Sequence, residues 1–156
     1  MDYNQTAENN NVSFEGIPPG PFLLGLLSAF DNRFQAIADA EMKEITWKQF
    51  FAIICINMCK EAPTLNELSD IMGSSHQNVK QILLKLEKKG FIRFEDDASD
   101  KRKQRIHLTQ HCLEFCAAND EGSRVRLTKL FENRAPDQLM TTIQVISQME
   151  KNLKDF

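Results

Sequence analysis

Thr64-Leu65-Asn66-Glu67-Leu68-Ser69-Asp70-Ile71-Met72-Gly73-Ser74-Ser75-His76-Gln77-Asn78-Val79-Lys80 holds two helix starts in quick succession. Thr64 with Glu67, and Ser74 with Gln77, each set a hydroxyl three residues before a side chain that can reach back to it, which is the capping-box pattern. Leu65, Leu68, Ile71 and Met72 line one side of the first helix. Val79, Ile82, Leu83 and Leu86 line one side of the second, which stops at Gly90. The short Met72-Gly73-Ser74 link leaves little freedom between them, so both apolar sides can share one core. The pair reads as a helix-turn-helix.

Downstream, Phe91-Ile92-Arg93-Phe94-Glu95 and Arg105-Ile106-His107-Leu108 alternate apolar and polar residues. This predicts a hairpin with Ile92, Phe94, Ile106 and Leu108 on a buried face, Arg93, Arg105 and His107 outside, and a charged tip from Asp96 to Gln104. Thr109 then starts a long helix to about Phe131, with Gly122 as the point where it would bend, and Pro136 opens a last helix. Upstream, Thr46 and Gln49 cap a nearly all-round apolar helix carrying Trp47, Phe50, Phe51, Ile53 and Ile54, which ends near Glu61 before Pro63. Phe22 to Asp39 has apolar residues at helical spacing, and Gly16-Ile17-Pro18-Pro19-Gly20-Pro21 punctuates the chain ahead of it. The expected fold class is therefore mainly α: a winged helix-turn-helix, with a three-helix core plus a β-hairpin wing, flanked by N- and C-terminal helices.

The expected organisation is an N-terminal arm over 1–21, an N-terminal dimerisation helix over 22–45, the winged helix-turn-helix over 46–109, and C-terminal dimerisation helices over 110–156. Dimerisation enters because Leu139, Ile143, Ile146, Met149, Leu153 and Phe156 form a stripe that needs a partner surface. Phe22, Leu23, Leu26, Leu27 and Phe30 offer another, and a symmetric homodimer can bury both.

Length and composition agree with this. The chain has 156 residues, 42% hydrophobic and 26% charged, which fits one domain, or one domain with a terminal helical extension, and excludes disorder. No apolar stretch approaches the roughly 20 residues of a membrane helix, and Met1 to Asn11 is polar and Asn-rich, so neither a membrane nor a secretory protein is expected. A cytoplasmic protein with reduced thiols is. The net charge of −3 conceals an asymmetry: Ser74 to Arg105 holds nine basic and five acidic residues, a net of +4, leaving −7 for the remainder. An acidic body with one basic segment suggests an anion-binding surface, with double-stranded DNA as a candidate partner.

With the buried direction of the second helix fixed by its aliphatic residues, steps of about 100° per residue aim Gln77, Gln81 and Lys88 away from the core, flanked by Asn78, Lys80 and Lys85. Gln and Asn can pair with adenine, and Lys can reach guanine or phosphate. Ser74 and Ser75 sit at the helix start, where phosphate is favoured, and His76 lies nearer the core boundary. An ordinary solvated helix face is the competing reading of the same residues.

At the hairpin tip, Asp100-Lys101-Arg102 precedes Leu108-Thr109 at a spacing that resembles the wing of the multiple-antibiotic-resistance-regulator (MarR) family. Ser75-His76-Gln77-Asn78-Val79-Lys80 through Leu86-Glu87-Lys88-Lys89-Gly90-Phe91-Ile92 is similar to that family's recognition helix and its exit. The resemblance runs from about Trp47 to Thr109. Cys112 stands where the family often has Gly. The resemblance implies that Arg102 enters the minor groove while Asp100 shapes the wing, with Lys101 beside them. It also implies a homodimeric regulator, a repressor more than an activator, on a palindromic operator and responsive to a small-molecule or stress signal. The alternative is a winged-helix module that binds protein instead of DNA.

Cys55 and Cys59, and Cys112 and Cys116, sit four apart on predicted helices, so each pair shares a face. Packing as small hydrophobes is the first reading, redox or electrophile sensing the second and structural metal the last. His76, His107 and His111 have no metal spacing, so no metal site and no cofactor are expected. The sequence has no phosphate-binding Gly loop, HExxH or nucleophile elbow, and an enzyme is not expected.

Overall fold

The computed structural model describes residues 16–98, 100–153 and 155. Residues 1–15 of the expected arm, Ser99 of the hairpin tip and Phe156 of the last apolar stripe lie outside the described residues. The elements are α1 (Pro19–Glu41), α2 (Trp47–Met58), α3 (Leu65–Met72), α4 (His76–Lys88), β1 (Ile92–Asp96), β2 (Gln104–Leu108), α5 (Gln110–Leu130) and α6 (Pro136–Leu153). They form two compact units, one running to Gln110 and the other starting at His111. The mainly helical winged architecture is the one expected.

In the first unit, α2, α3 and α4 pack on one another and on the hairpin. Leu68, Val79, Leu83, Leu86, Phe91, Ile92 and Ile106 are all buried. The strands pair antiparallel, with Ile92 opposite Leu108 and Phe94 opposite Ile106, so one face of the hairpin is apolar as the alternation requires. The Ile106 amide donates to the Pro63 carbonyl (2.9 Å), fastening β2 to the loop before α3. Helix α1 packs on α2 through an edge-to-face contact of Phe34 with Trp47, ring centroids 4.6 Å apart.

The helix ends show how local chemistry sets these boundaries. Both expected boxes, Thr46 with Gln49 and Thr64 with Glu67, are formed in full. The expected box at Ser74 is not: Ser75 caps α4, accepting from the Asn78 amide. Gly73 ends α3 at φ +59°, and the Ser74 amide donates back to the Ser69 carbonyl (3.1 Å). Ser74 therefore still belongs to the closing turn of the preceding helix, and the start of α4 shifts by one residue. Gly90 at φ +76° and the Phe91 amide bond to the Leu86 carbonyl (3.0 Å) close α4 in the same way. Helix α1 begins at Pro19, ahead of the expected Phe22, and α2 stops at Met58, ahead of Glu61. Prolines fit a first helical turn, whose amides lack intrahelical acceptors, so the start moves back onto Pro19.

The second unit is the helix pair α5 and α6. Gly122 lies within an uninterrupted α5, and no residue of α6 is buried. Val125, Leu127, Ile143 and Leu153 stand exposed. None of the helices among the described residues is long and apolar enough to cross a membrane.

The core makes a direct prediction. Leu86→Ala, at a fully buried position, should destabilise the fold by about 2–5 kcal/mol. Leu84→Ala, on the exposed side of the same helix, should stay within about 0.5 kcal/mol. Urea midpoints at one fixed protein concentration check the contrast.

Candidate nucleic-acid interface

Helix α4 buries Val79, Leu83 and Leu86, and this fixes which side is left for a ligand. Ser75, His76, Gln77, Asn78, Lys80, Gln81 and Lys85 are exposed, whereas Ser74 is half-buried. His76 is exposed at the first helical position and not at the core boundary. Leu84, which the sequence reading left out, is 43% exposed between these polar residues and could meet a thymine methyl. The face carries amide and ammonium donors with one apolar spot.

The hairpin tip is organised by two aspartates. Asp100 accepts from the Arg102 backbone amide (3.1 Å) and from its Nε (3.0 Å) and Nη2 (3.3 Å). Those bonds hold the Asp100 carboxyl below its ordinary value, the Arg102 side chain being the main cause. The Arg102 side chain is nevertheless 91% exposed. Its guanidinium is thus anchored at one edge and open to solvent elsewhere. Lys101 and Lys103 are exposed beside it.

Asp97, one turn of the tip earlier, is buried. One of its oxygens accepts from the Asp100 amide (3.0 Å), the other from Arg105 Nε, and its own amide donates to the Lys103 carbonyl (3.0 Å). Arg105 Nη1 in turn donates to the Ala62 carbonyl (3.0 Å) and to Glu67 Oε2 (3.2 Å). The sequence reading placed Arg105 simply outside the hairpin and did not single out Asp97 or Glu67 beyond its cap. Nothing in the alternation signals these bonds, because their partners lie 38 and 43 residues away in the chain. Thr109 closes the hairpin at its base, its Oγ1 donating to the carbonyls of Gly90 (2.6 Å) and Phe91 (3.2 Å).

Five of the candidate residues line two depressions. Lys80 and Arg102 line a groove of about 890 Å³ between α3, α4 and the hairpin, together with Leu84, Phe94 and Lys103. Ser74, Asn78 and Gln81 line another, of about 660 Å³, with Asp31, Trp47 and Lys48. The wing and the helix thus share one groove through Lys80 and Arg102, while Asn78 and Gln81 lie on the side nearer α1.

Residues 45–103 match the model of the MarR family. The match covers the winged helix-turn-helix segment of the chain. Its fold is that of MarR-type transcriptional regulators. It resembles a MarR/EmrR family regulator from an Acinetobacter species, with a TM-score of 0.78 at 17% identity over 90% of this chain and 100% of that one. It resembles a MarR protein of Peptoclostridium difficile, with a TM-score of 0.77 at 20% identity over 92% and 94% of the two chains. It is also similar to MepR of S. aureus, solved as a DNA complex, with a TM-score of 0.71 at 20% identity over 82% and 95%. None of the curated protein sequences matches the chain significantly.

Cys55 and Cys59 lie inside the matched segment, and Cys112 and Cys116 beyond it. Cys55 and Cys112 are buried, Cys59 and Cys116 half-buried, and all four are free thiols. Cys59 Sγ donates to the Cys55 carbonyl (3.2 Å). Burial pushes the Cys55 and Cys59 thiols up, and burial followed by the neighbouring Cys116 pushes Cys112 up to about 12. The described residues place no three His, Cys, Asp or Glu side chains together to hold a metal ion.

A raised thiol value favours the neutral form in the fold. Stability tied to neutral Cys112 is therefore present below the ordinary thiol value of 9.0 and is lost as pH rises toward about 12. At pH 8 the Cys112 thiol therefore stays overwhelmingly neutral and a poor nucleophile. Iodoacetamide at that pH should label Cys112 last in the native protein, while urea makes all four cysteines react alike. Mass spectrometry of the alkylated peptides reads the order, and fast native labelling of Cys112 would argue for a reactive sensor thiol.

Proposed function

We propose that the chain is a sequence-specific, double-stranded-DNA-binding transcriptional regulator, not an enzyme. It works as a homodimer on a palindromic operator, as a repressor responsive to a small molecule or to stress, in the reducing cytoplasm that suits four free thiols. The observation that carries the reading is the joint presentation of an exposed amide- and lysine-bearing face on α4 and an exposed, carboxylate-anchored Arg102 on the wing. The first suits base edges in the major groove, and the second suits the negative potential of a narrow minor groove. The MepR structure and that of FabT from S. pneumoniae, both solved with DNA, lend the reading support from similar folds.

In this reading Gln77, Asn78, Gln81 and Lys85 read or flank bases. Ser74, Ser75, His76, Lys80 and Lys101 serve the backbone, and Asp100 shapes the wing for Arg102. The exposed apolar residues of α1, α5 and α6 support a two-fold partner. Two recognition helices would then stand about 34–36 Å apart, one turn of DNA.

Selection of bound DNA from a random pool tests the reading, with two symmetric half-sites expected. An apparent affinity that is indifferent to salt would argue instead for a protein partner. On the selected site, Arg102→Ala should weaken binding to nearly all sequences. Gln81→Ala should cost about 1–3 kcal/mol, mainly at one base position. A chain ending before Pro136 should sediment as a monomer or aggregate, keep its helix-turn-helix by circular dichroism, and lose most operator affinity. A truncated dimer with normal affinity would exclude the proposed assembly.

A further inference from the structure

The wing and the helix-turn-helix meet at one charged cluster that the DNA-facing residues do not use. Arg105 spends its Nε on Asp97 and its Nη1 on both the Ala62 carbonyl and Glu67 Oε2. Its side chain is 28% exposed and the Asp97 side chain 8%, so the pair is largely withdrawn from water. Each partner is itself fixed. Glu67 also accepts from the Thr64 amide (2.7 Å) and Thr64 Oγ1 (2.9 Å), which hold its carboxyl below its ordinary value and tie it to the start of α3. Asp97 accepts from the Asp100 amide, and Asp100 holds Arg102. An unbroken chain of hydrogen bonds therefore runs from the first turn of α3 through Glu67, Arg105, Asp97 and Asp100 to Arg102.

A two-stranded hairpin is marginal by itself, and its tip could swing about the strands without a tether. The apolar face of the hairpin fixes its base, and only the tip has to be held by polar bonds. Arginine suits the task because its planar fork bonds in two directions at once with little entropy lost per bond, which a lysine cannot reproduce. Resting on the DNA-binding reading for its functional consequence, we infer that Arg105 is a positioning residue. It clamps Asp97 of the wing tip to Glu67 and Ala62 of the helix-turn-helix and so fixes where Arg102 is presented relative to α4. Arg105 itself need not touch DNA.

Two measurements on the full chain decide this. The first needs no DNA. Hydrogen exchange of the tip amides of Asp97, Asp100, Arg102 and Lys103 should speed up several-fold in Arg105→Lys, while the core amides of α4 keep their protection. Asp97→Asn, which leaves Arg105 in place but removes the charge it grips, should do the same and serves if Arg105→Lys folds poorly. Unchanged tip exchange in both variants overturns the clamp. The second is a double-mutant cycle on the selected DNA site. If Arg102→Ala weakens wild-type binding about tenfold, it should weaken Arg105→Lys by about threefold or less, because the clamp no longer places Arg102. Equal losses in the two backgrounds overturn the positioning role. Should the wild-type chain select no DNA, the DNA-binding reading fails, and hydrogen exchange alone then judges the clamp.

Discussion

Everything in the first unit depends on the common burial of Leu68, Val79, Leu83, Leu86, Phe91 and Ile106, contributed by α3, α4, β2 and the turn between α4 and β1. Each such side chain is worth about 1.5–3 kcal/mol when removed from water, and none can be covered by its own element. Once α4 is committed by its aliphatic side, its opposite side has to be polar and exposed. Once Ile106 is committed, β2 must run beside the Pro63 carbonyl, and the hairpin tip shares a groove with α3 and α4. The candidate interface is thus the remainder left by the packing of the core, and the residues on it are free to be chosen for what they bind.

Charge is arranged on this remainder with some economy. The protein is acidic as a whole, yet Lys80 of α4 lies on one groove with Arg102, Lys103 and Arg105 of the wing, while most acids nearby are occupied. Glu67 is taken by the cap and Arg105, Asp97 by Arg105, Asp100 by Arg102, and Glu95 by Arg93 and His107. The exposed Arg102 pair adds little to stability in water. Its value is geometric: a carboxylate that fixes the Arg102 backbone amide and guanidinium together restricts where the charge can point, and reduces what must be ordered on binding a polyanion.

The helical flanks follow a different logic. Phe34 and Trp47 join α1 to the core, but Leu24, Phe30 and Ile37 on the same helix stay exposed, as do Val125, Met140 and Ile143 in the second unit. Apolar surface on this scale marks surfaces that meet partners. An element whose apolar stripe is uncovered gains stability when something covers it, so under the proposed function assembly and the presentation of two recognition helices are linked.

Local signals determined much of this by themselves. The capping boxes at Thr46 and Thr64, the stops at Gly73 and Gly90, and the alternation of Ile92, Phe94, Ile106 and Leu108 are short-range chemistry, and the fold class and the exposed face of α4 follow from them. Ser74 misled because two adjacent serines can both cap, and only the backbone bond from Ser74 to Ser69 shows which one is still spent on ending α3. The tertiary structure alone decided the role of Arg105. Period-two alternation assigns it to the outside of a strand, and outside is where it lies, but its partners come from residues 62, 67 and 97. A side chain long enough to reach across the surface is governed by whatever the packed core brings within its span, and no local pattern in the sequence records that distance.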